Sequence, residues 1–283
     1  MAFSIQTNNS SLIALTNFEK ASAELDDVSK VISTGLNISS SEDDSSNFSI
    51  AQGIRGEVKS IGAVIRGINN AKGIAKVAIS GATAVSNLLQ DIRQKVTEGV
   101  NPANTAAQQV LMQNDYASLL QQMRQFMENS EFNGVNILIE TNVPFNTIVG
   151  DVNDVEVLSD LQGRSITLEG QRLDLSYALL LQENISTPAN ASQTLTILLQ
   201  EERRIYNALA SLGSNFRALE QQTKYLEILK DASETGLGNI VDADMARASA
   251  ELTSSQVRKE LAAQTLSIAN KNPQVFLGLF ENQ

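Results

Sequence analysis

Apolar residues recur at intervals of three and four along most of this chain, and the rhythm breaks into an irregular β-branched pattern only in the middle. Leu12, Leu15, Phe18, Ala21, Leu25, Val28 and Ile32 fall on one face of a helix, with Gly35 supplying a C-terminal stop. Glu19, Glu24, Asp26 and Asp27 outweigh Lys20 and Lys30 on the other face. After the polar turn NISSSEDDSSN, Ile54, Val58, Ile61, Ile65 and Ile68 step by four and three, and Ala75, Ile79, Ala82 and Leu89 continue the pattern. This heptad-like rhythm predicts a helix from Ser46 to Glu98, roughly 80 Å long at about 1.5 Å per residue. Beside it runs a line of small residues, Gly53, Gly56, Ser60, Ala63, Gly67 and Ala71. Each interior Gly costs about 1 kcal/mol relative to Ala, so packing by neighbouring helices is expected to compensate.

GVNPANTAA interrupts the pattern, with Asn104 or Thr105 as N-cap, and Val110, Leu111, Tyr116, Leu119, Leu120, Met123 and Met127 support a further helix to Asn129. EFNGVNILIE, TNVPFNTIVGDVNDVEVL and GRSITLEG then predict a small unit of strands and hairpins. A helical pattern resumes at Ser192 with Leu195, Leu198, Leu199, Ile205, Leu209 and Leu212, and is expected to stop near Thr235, before Gly236 and Gly238. A last helix from Asp242 to Asn270 carries Met245, Ala248, Leu252, Val257, Leu261 and Ile268, ahead of Pro273. The fold class is mainly α: a long antiparallel helical coiled-coil rod, a small β-hairpin unit in mid-chain, and terminal helices that pair. Neither terminal helix has a core of its own, so each is stabilised by tertiary or intermolecular packing. A bundle closed by its own termini and a self-associating subunit both satisfy that pattern.

Composition narrows the function. With no His and no Cys the chain lacks the usual proton shuttle, thiol nucleophiles, disulfides and most zinc ligands. No catalytic residues, cofactor or metal site is expected. No Trp and only nine Phe and four Tyr leave a core of Ala, Ile, Leu and Val, suited to helix packing. The net charge of −11 opposes nucleic acid and anionic lipid. The opening MAFSIQTNNSSLIAL has no basic segment before an apolar run, and no stretch approaches 18 apolar residues, so neither a cleaved signal peptide nor membrane insertion is expected.

Local motifs add little chemistry. DVNDVEVLSD has Glu156 where a calcium loop requires a turn Gly and reads as a polar-flanked strand. TGLGNIV has Val241 where a dinucleotide loop requires its third Gly and reads as a helix stop. Glu42, Asp43 and Asp44 favour the N-terminus of the following helix. Glu201, Glu202, Arg203 and Arg204 read as a solvated helix face.

Motifs in order at both ends resemble the bacterial flagellin family. At the N-terminus the likeness lies in Ile5, Thr7, Asn8, Ser11, Leu12, Ala14 and Asn17, and then in Ser33, Gly35, Ile38, Asp43, Asp44 and Ile50 around a Ser-Gly turn and an Asp-Asp pair. FNGVNIL, with Phe132, Asn133 and Gly134, is similar to the family's FNG motif. Asp242-Ala243-Asp244, Gln256, Leu266, Ala269-Asn270 and the apolar closing residues, including Leu277 and Leu279, carry it at the C-terminus. Val31-Ile32-Ser33-Thr34-Gly35 and Asn37 depart from the family's usual turn, which has a basic residue, and Glu281-Asn282-Gln283 extend past its usual end.

The resemblance implies a structural subunit of the extracellular flagellar filament, exported without cleavage, whose partners are itself, other flagellins, an export chaperone, and the cap and hook–filament junction proteins. It implies inner-core helices in residues 1–44 and 239–283, rod helices in 45–130 and 191–238, and a strand unit in 131–190. The self-assembly positions it suggests are Thr7, Asn8, Leu12, Asn17, Ser33, Gly35, Asp43, Asp44, Phe132, Asn133, Gly134, Asp242, Asp244, Gln256, Leu266, Ala269, Asn270, Leu277 and Leu279, with Leu25 and Leu252 from the apolar stripes. Only residues 139–191 separate FNGVNIL from the returning helix, so no large projecting domain is expected. Arg93 matches a residue that the innate receptor for flagellins reads, but Lys95 stands where an apolar residue is typical, so that recognition is not carried over. Two alternatives remain: a hook–filament junction-type axial protein, and a flagellin homologue that binds a surface ligand.

Overall fold

A computed structural model describes residues 8–140 and 154–281, with side chains as far as residue 271. Its elements are α1 (Asn9–Thr34), α2 (Ser45–Gly99), α3 (Ala106–Glu128), β1 (Val155–Leu158), β2 (Ser165–Leu168), α4 (Leu173–Gln182), α5 (Pro188–Val241) and α6 (Met245–Glu281). The mainly α class and the small antiparallel hairpin are as expected. The chain divides into two compact units, residues 1–57 with 232–283 and residues 58–231; α2 and α5 contribute to both.

The first unit contains α1, α6 and the adjoining ends of α2 and α5. Gly35 closes α1 in the left-handed conformation, φ 71°, and its N–H donates to the Val31 carbonyl. A Cβ there would be strained. Ile38, Ala51 and Val241 form a small core with Leu36, Phe48, Leu237 and Ile240. That core corrects the expected stop near Thr235, because α5 continues through Gly236 and Gly238 to Val241. Burial of Val241 and the bonds from Asn37 N–H and Ile38 N–H to its carbonyl (2.8 and 3.4 Å) outweigh the helix cost of two glycines. The helix α6 likewise spans Pro273, expected as a stop; a proline removes one N–H bond, and the 37-residue helix continues past it.

The second unit buries α2 against α3, α4 and α5 around Val85, Leu89, Ile92, Tyr116, Met123, Leu198 and Ile205. The α3 N-terminus is closed by a capping box: Thr105 accepts from Gln108 N–H, and Gln108 accepts from Thr105 N–H. Val110 and Leu111, expected to support α3, are exposed; its core face runs through Tyr116, Leu120, Met123 and Met127. The strands pair in the register Val155↔Leu168 to Leu158↔Ser165.

Residues 131–190 hold two departures. FNGVNIL is not a strand: Phe132 and Val135 exchange both main-chain bonds at 3.0 Å across a turn with Asn133 at φ 52° and Gly134 at φ 80°. Two successive positive φ values make the tight turn that Asn-Gly favours. The following segment is tied down by side-chain and main-chain bonds, since buried Asn136 donates to the Met127 carbonyl (2.8 Å) and accepts from Leu138 N–H (2.9 Å). The second departure is α4, whose run LDLSYALLLQ is too short and too uniformly apolar for its period to be read. The helix α5 starts at Pro188, ahead of the expected Ser192, with the fixed proline φ suiting a first helical position.

Candidate assembly interface

Within the first unit α1 and α6 pair antiparallel. Asn8 at the start of α1 reaches Ala269, Glu24 in its middle meets Arg258 at 3.1 Å, and the Gly35 carbonyl beyond its end accepts from Ala243 N–H at 3.0 Å. The seam repeats every seven residues. On α6, Ala248, Ser255 and Ala269 are buried and Ala262 half-buried, alternating with half-buried Leu252, Lys259 and Leu266. On α1, buried Ala14 and Ala21 lead to half-buried Val28, alternating with half-buried Ser11, Phe18, Leu25 and Ile32. A seven-residue repeat keeps one line of each helix facing its partner, and Ala or Ser on that line lets the backbones approach.

Of the expected stripes, Phe18, Ala21, Leu25, Val28 and Ile32 on α1 and Ala248 and Leu252 on α6 lie in this seam, and the others do not. Leu12 (58% exposed) and Leu15 face away from it on α1, and Met245, Val257, Leu261 and Ile268 (65% exposed) do so on α6. Close pairing puts small residues on one line of the seam, and these larger side chains lie on the other side of their helices. The pair therefore absorbs its alanines and leaves a second set of large apolar groups exposed.

Polar groups fix the ends of the seam. Asn8 caps α1 by accepting from Ser11 N–H (3.1 Å) while its amide donates to the Ala269 carbonyl (2.8 Å), and the Ser11 hydroxyl bonds Asn270. Asp244 caps α6 by accepting from Ala246 and Arg247 N–H at 3.0 and 3.1 Å, and Asp242 bridges Leu36. Asn17, Ser33 and Gln256 lie exposed on their helices.

Asp43 and Asp44 organise the turn between α1 and α2. Asp43 takes hydrogen bonds from Lys30, from the Ser39 N–H and hydroxyl, and from Ser40 N–H, which hold its carboxyl well below the usual range. Asp44 accepts from Asn47 N–H and the Asn47 side-chain amide, and from Ser46 N–H, and its carboxyl is also lowered. Asp44 thus sits at the start of α2, where Glu42, Asp43 and Asp44 were expected to favour the helix N-terminus, and it accepts from the first main-chain N–H groups there. Thr7 lies outside the described residues, and so do the side chains of Leu277 and Leu279.

Phe132, Asn133 and Gly134 belong to the second unit. The Phe132 ring lies where a Cβ on Gly73 of α2 would be 2.8 Å away, so the motif docks on a helix that gives it room. In the same unit Arg93 pairs with buried Glu202 (3.1 Å), and Lys95 pairs with Glu98 and Asp115. Glu201 and Glu202 are almost fully buried, which corrects their reading as a solvated face. Ser255 and the Glu24–Arg258 pair were missed, whereas Ala248 of the expected stripe is in the seam; the signal for Ser255 was the line of small residues spaced by seven.

Among the described residues no group of three or more Asp or Glu is placed to hold a metal ion, and no helix is long and apolar enough to cross a membrane. What this geometry offers is a pair of helices with an exposed apolar surface. The family model for the bacterial flagellin N-terminal helical region matches residues 5–143, and that for the C-terminal helical region matches residues 195–280. The flagellin FljO of Caulobacter vibrioides is 30% identical over 98% of both chains, and a flagellin of Brucella melitensis is 27% identical over 98% of this chain and 99% of its own.

Two solved structures share the fold. Bacillus cereus flagellin has a TM-score of 0.51 at 23% identity, covering 57% of this chain and 88% of its own. A putative flagellar hook-associated protein from Vibrio parahaemolyticus scores 0.60 at 16% identity, covering 71% of this chain and all of its own. The chain belongs to the bacterial flagellin family. It is a structural subunit of the extracellular flagellar filament that serves motility. The junction-type and ligand-binding alternatives are not favoured.

Proposed function

We propose that the motif residues divide into two roles in polymerisation. Asn8, Leu25, Gly35, Asp242, Asp244, Leu252, Leu266, Ala269 and Asn270 set the α1–α6 pair, and Asp43 with Asp44 sets the turn that follows α1. Leu12, Asn17, Ser33 and Gln256, with Leu15, Leu261 and Ile268, face neighbouring subunits. Phe132, Asn133 and Gly134 hold their turn on α2. Thr7, Leu277 and Leu279 join the contact-making set. Residues 1–44 and 239–283 form the inner layer of the polymer, and residues 45–130, 131–190 and 191–238 form the outer one.

The observation that carries this reading is the exposure of large apolar side chains on a helix pair whose seam is already closed by other residues, Ala14, Phe18, Ala21, Leu25, Leu252 and Ala269 among them. Such a surface is stabilised when further helices cover it, at about 25 cal/mol per Å² of apolar area removed from water. The role is structural and not catalytic. Other flagellins, an export chaperone, the cap and the junction proteins are the remaining partners, and export proceeds without removal of an N-terminal segment. Sedimentation and negative-stain microscopy of Leu12→Asp and Leu261→Asp test the central point. Both are expected to keep the helix content of the free subunit and to form no filaments; normal filaments from both would refute the assigned roles.

A further inference from the structure

The charge of this acidic chain is unevenly spread. From Val58 to Gln90 there is no Asp or Glu, whereas Lys59, Arg66, Lys72 and Lys76 all fall in that stretch of α2. Lys59, Arg66 and Lys76 are exposed and Lys72 is half-buried, and no described residue forms an ion pair with any of them. They span about 26 Å of helix. Beside them a groove of about 400 Å³ runs between α2 and β1, with Ala63 and Gly67 on one side and Val155 and Val157 on the other. Its sole acidic lining residue among those described, Glu156, is also without an ion-pair partner.

We propose that this exposed basic face of α2 docks an acidic surface of a second copy of the chain, so that part of the polymer contact is electrostatic. The inference rests on the filament reading and names the chemistry of one of its contacts. The unit that carries the basic face also carries exposed Asp91, Glu131, Glu169 and Glu227, none of which forms an ion pair with another described residue. Every other copy therefore brings the complementary charge. Copies repel through their shared net charge of −11, so the contact is a short-range match of local patches whose carboxylates every copy carries. A basic patch meeting a different, acidic patch on the next copy is a heterologous contact, which propagates into a helical array when its rotation does not close into a ring.

The test is the critical concentration for polymerisation, read by sedimentation, for the full chain and for Lys59→Glu/Arg66→Glu, at about 50 mM and about 500 mM salt. The wild-type chain is expected to polymerise less readily at high salt. The double variant is expected to need about tenfold more protein at low salt, with the gap narrowing at high salt as repulsion is screened. Lys59→Arg/Arg66→Lys is expected to match the wild type. Polymerisation of the charge-reversed variant at the wild-type concentration overturns the proposal, and so does a defect that salt does not relieve, which marks misfolding or lost packing. Failure of the wild-type chain to polymerise at either salt concentration would instead count against the filament reading.

Discussion

Asn8 joins the two ends of the described chain: its side-chain oxygen caps α1 and its amide donates to the main-chain carbonyl of Ala269, 261 positions away, at 2.8 Å. One residue thus starts a helix and sets the register of its partner. Asn8→Asp keeps the acceptor and loses the donor, whereas Asn8→Ala loses both. The alanine variant is expected to destabilise the start of α1 by about 1 kcal/mol, the usual worth of an N-cap. The aspartate variant is expected to retain most of the cap but to raise amide exchange on α6 around Ala269. Hydrogen exchange on the two variants separates these effects.

Gly81 is expected to be among the least replaceable positions of α2. A Cβ there would lie 1.8 Å from Ser130 Oγ and 2.7 Å from Ser130 Cβ, and 3.1 Å from Leu138. Gly81→Ala should destabilise the second unit by about 1–3 kcal/mol through overpacking, seen as a lower melting temperature. Adding Ser130→Gly removes the clashing atoms and is expected to recover part of the loss.

The buried hydroxyl of Tyr116 donates to the Leu180 carbonyl at 2.6 Å and ties α3 to α4, while burial raises its pKa well above the ordinary value. Tyr116→Phe removes one of that carbonyl's two donors, the Glu183 N–H at 3.3 Å remaining, and is expected to cost about 1 kcal/mol. Urea unfolding measures the loss, and amide exchange should show α4 affected most.

Asp43 makes the α1–α2 turn acid-sensitive. Its carboxyl titrates near 3.8 without perturbation and well below that in the folded chain, chiefly because Lys30 donates to it. A carboxylate lowered by folding contributes stability that is complete above the unfolded value and is lost as pH falls from there through the folded value. Melting followed from pH 6 to pH 2 (about the range in which such carboxylates protonate) is expected to show a smaller acid-induced fall for Asp43→Asn than for the wild-type chain.

The long helices were legible because Ile and Leu at three and four spacing persist over many turns, and Gly35 and Thr105 mark ends that local chemistry alone decides. Gly236 and Gly238 misled because the burial of Val241, a tertiary fact, holds the helix through them. The run at α4 gave no period to read. At the terminal pair the helices were evident but only part of the faces was: Ala14 and Ser255 lie on the line of small residues in the seam, whereas the apolar Leu15 and Leu261 lie on the outward side of their helices. The value of an alanine there depends on a partner helix that is 200 or more positions away, as Asn8 and Ala269 are.

A density map of the assembled filament tests the central claim most directly, by the solvent accessibility of Leu12, Leu15, Leu261 and Ile268 in place. These side chains are predicted to be covered by neighbouring subunits while Ala14, Ala21, Ser255 and Ala269 remain in the seam of a single chain. A filament in which the four large side chains still face solvent would contradict the account.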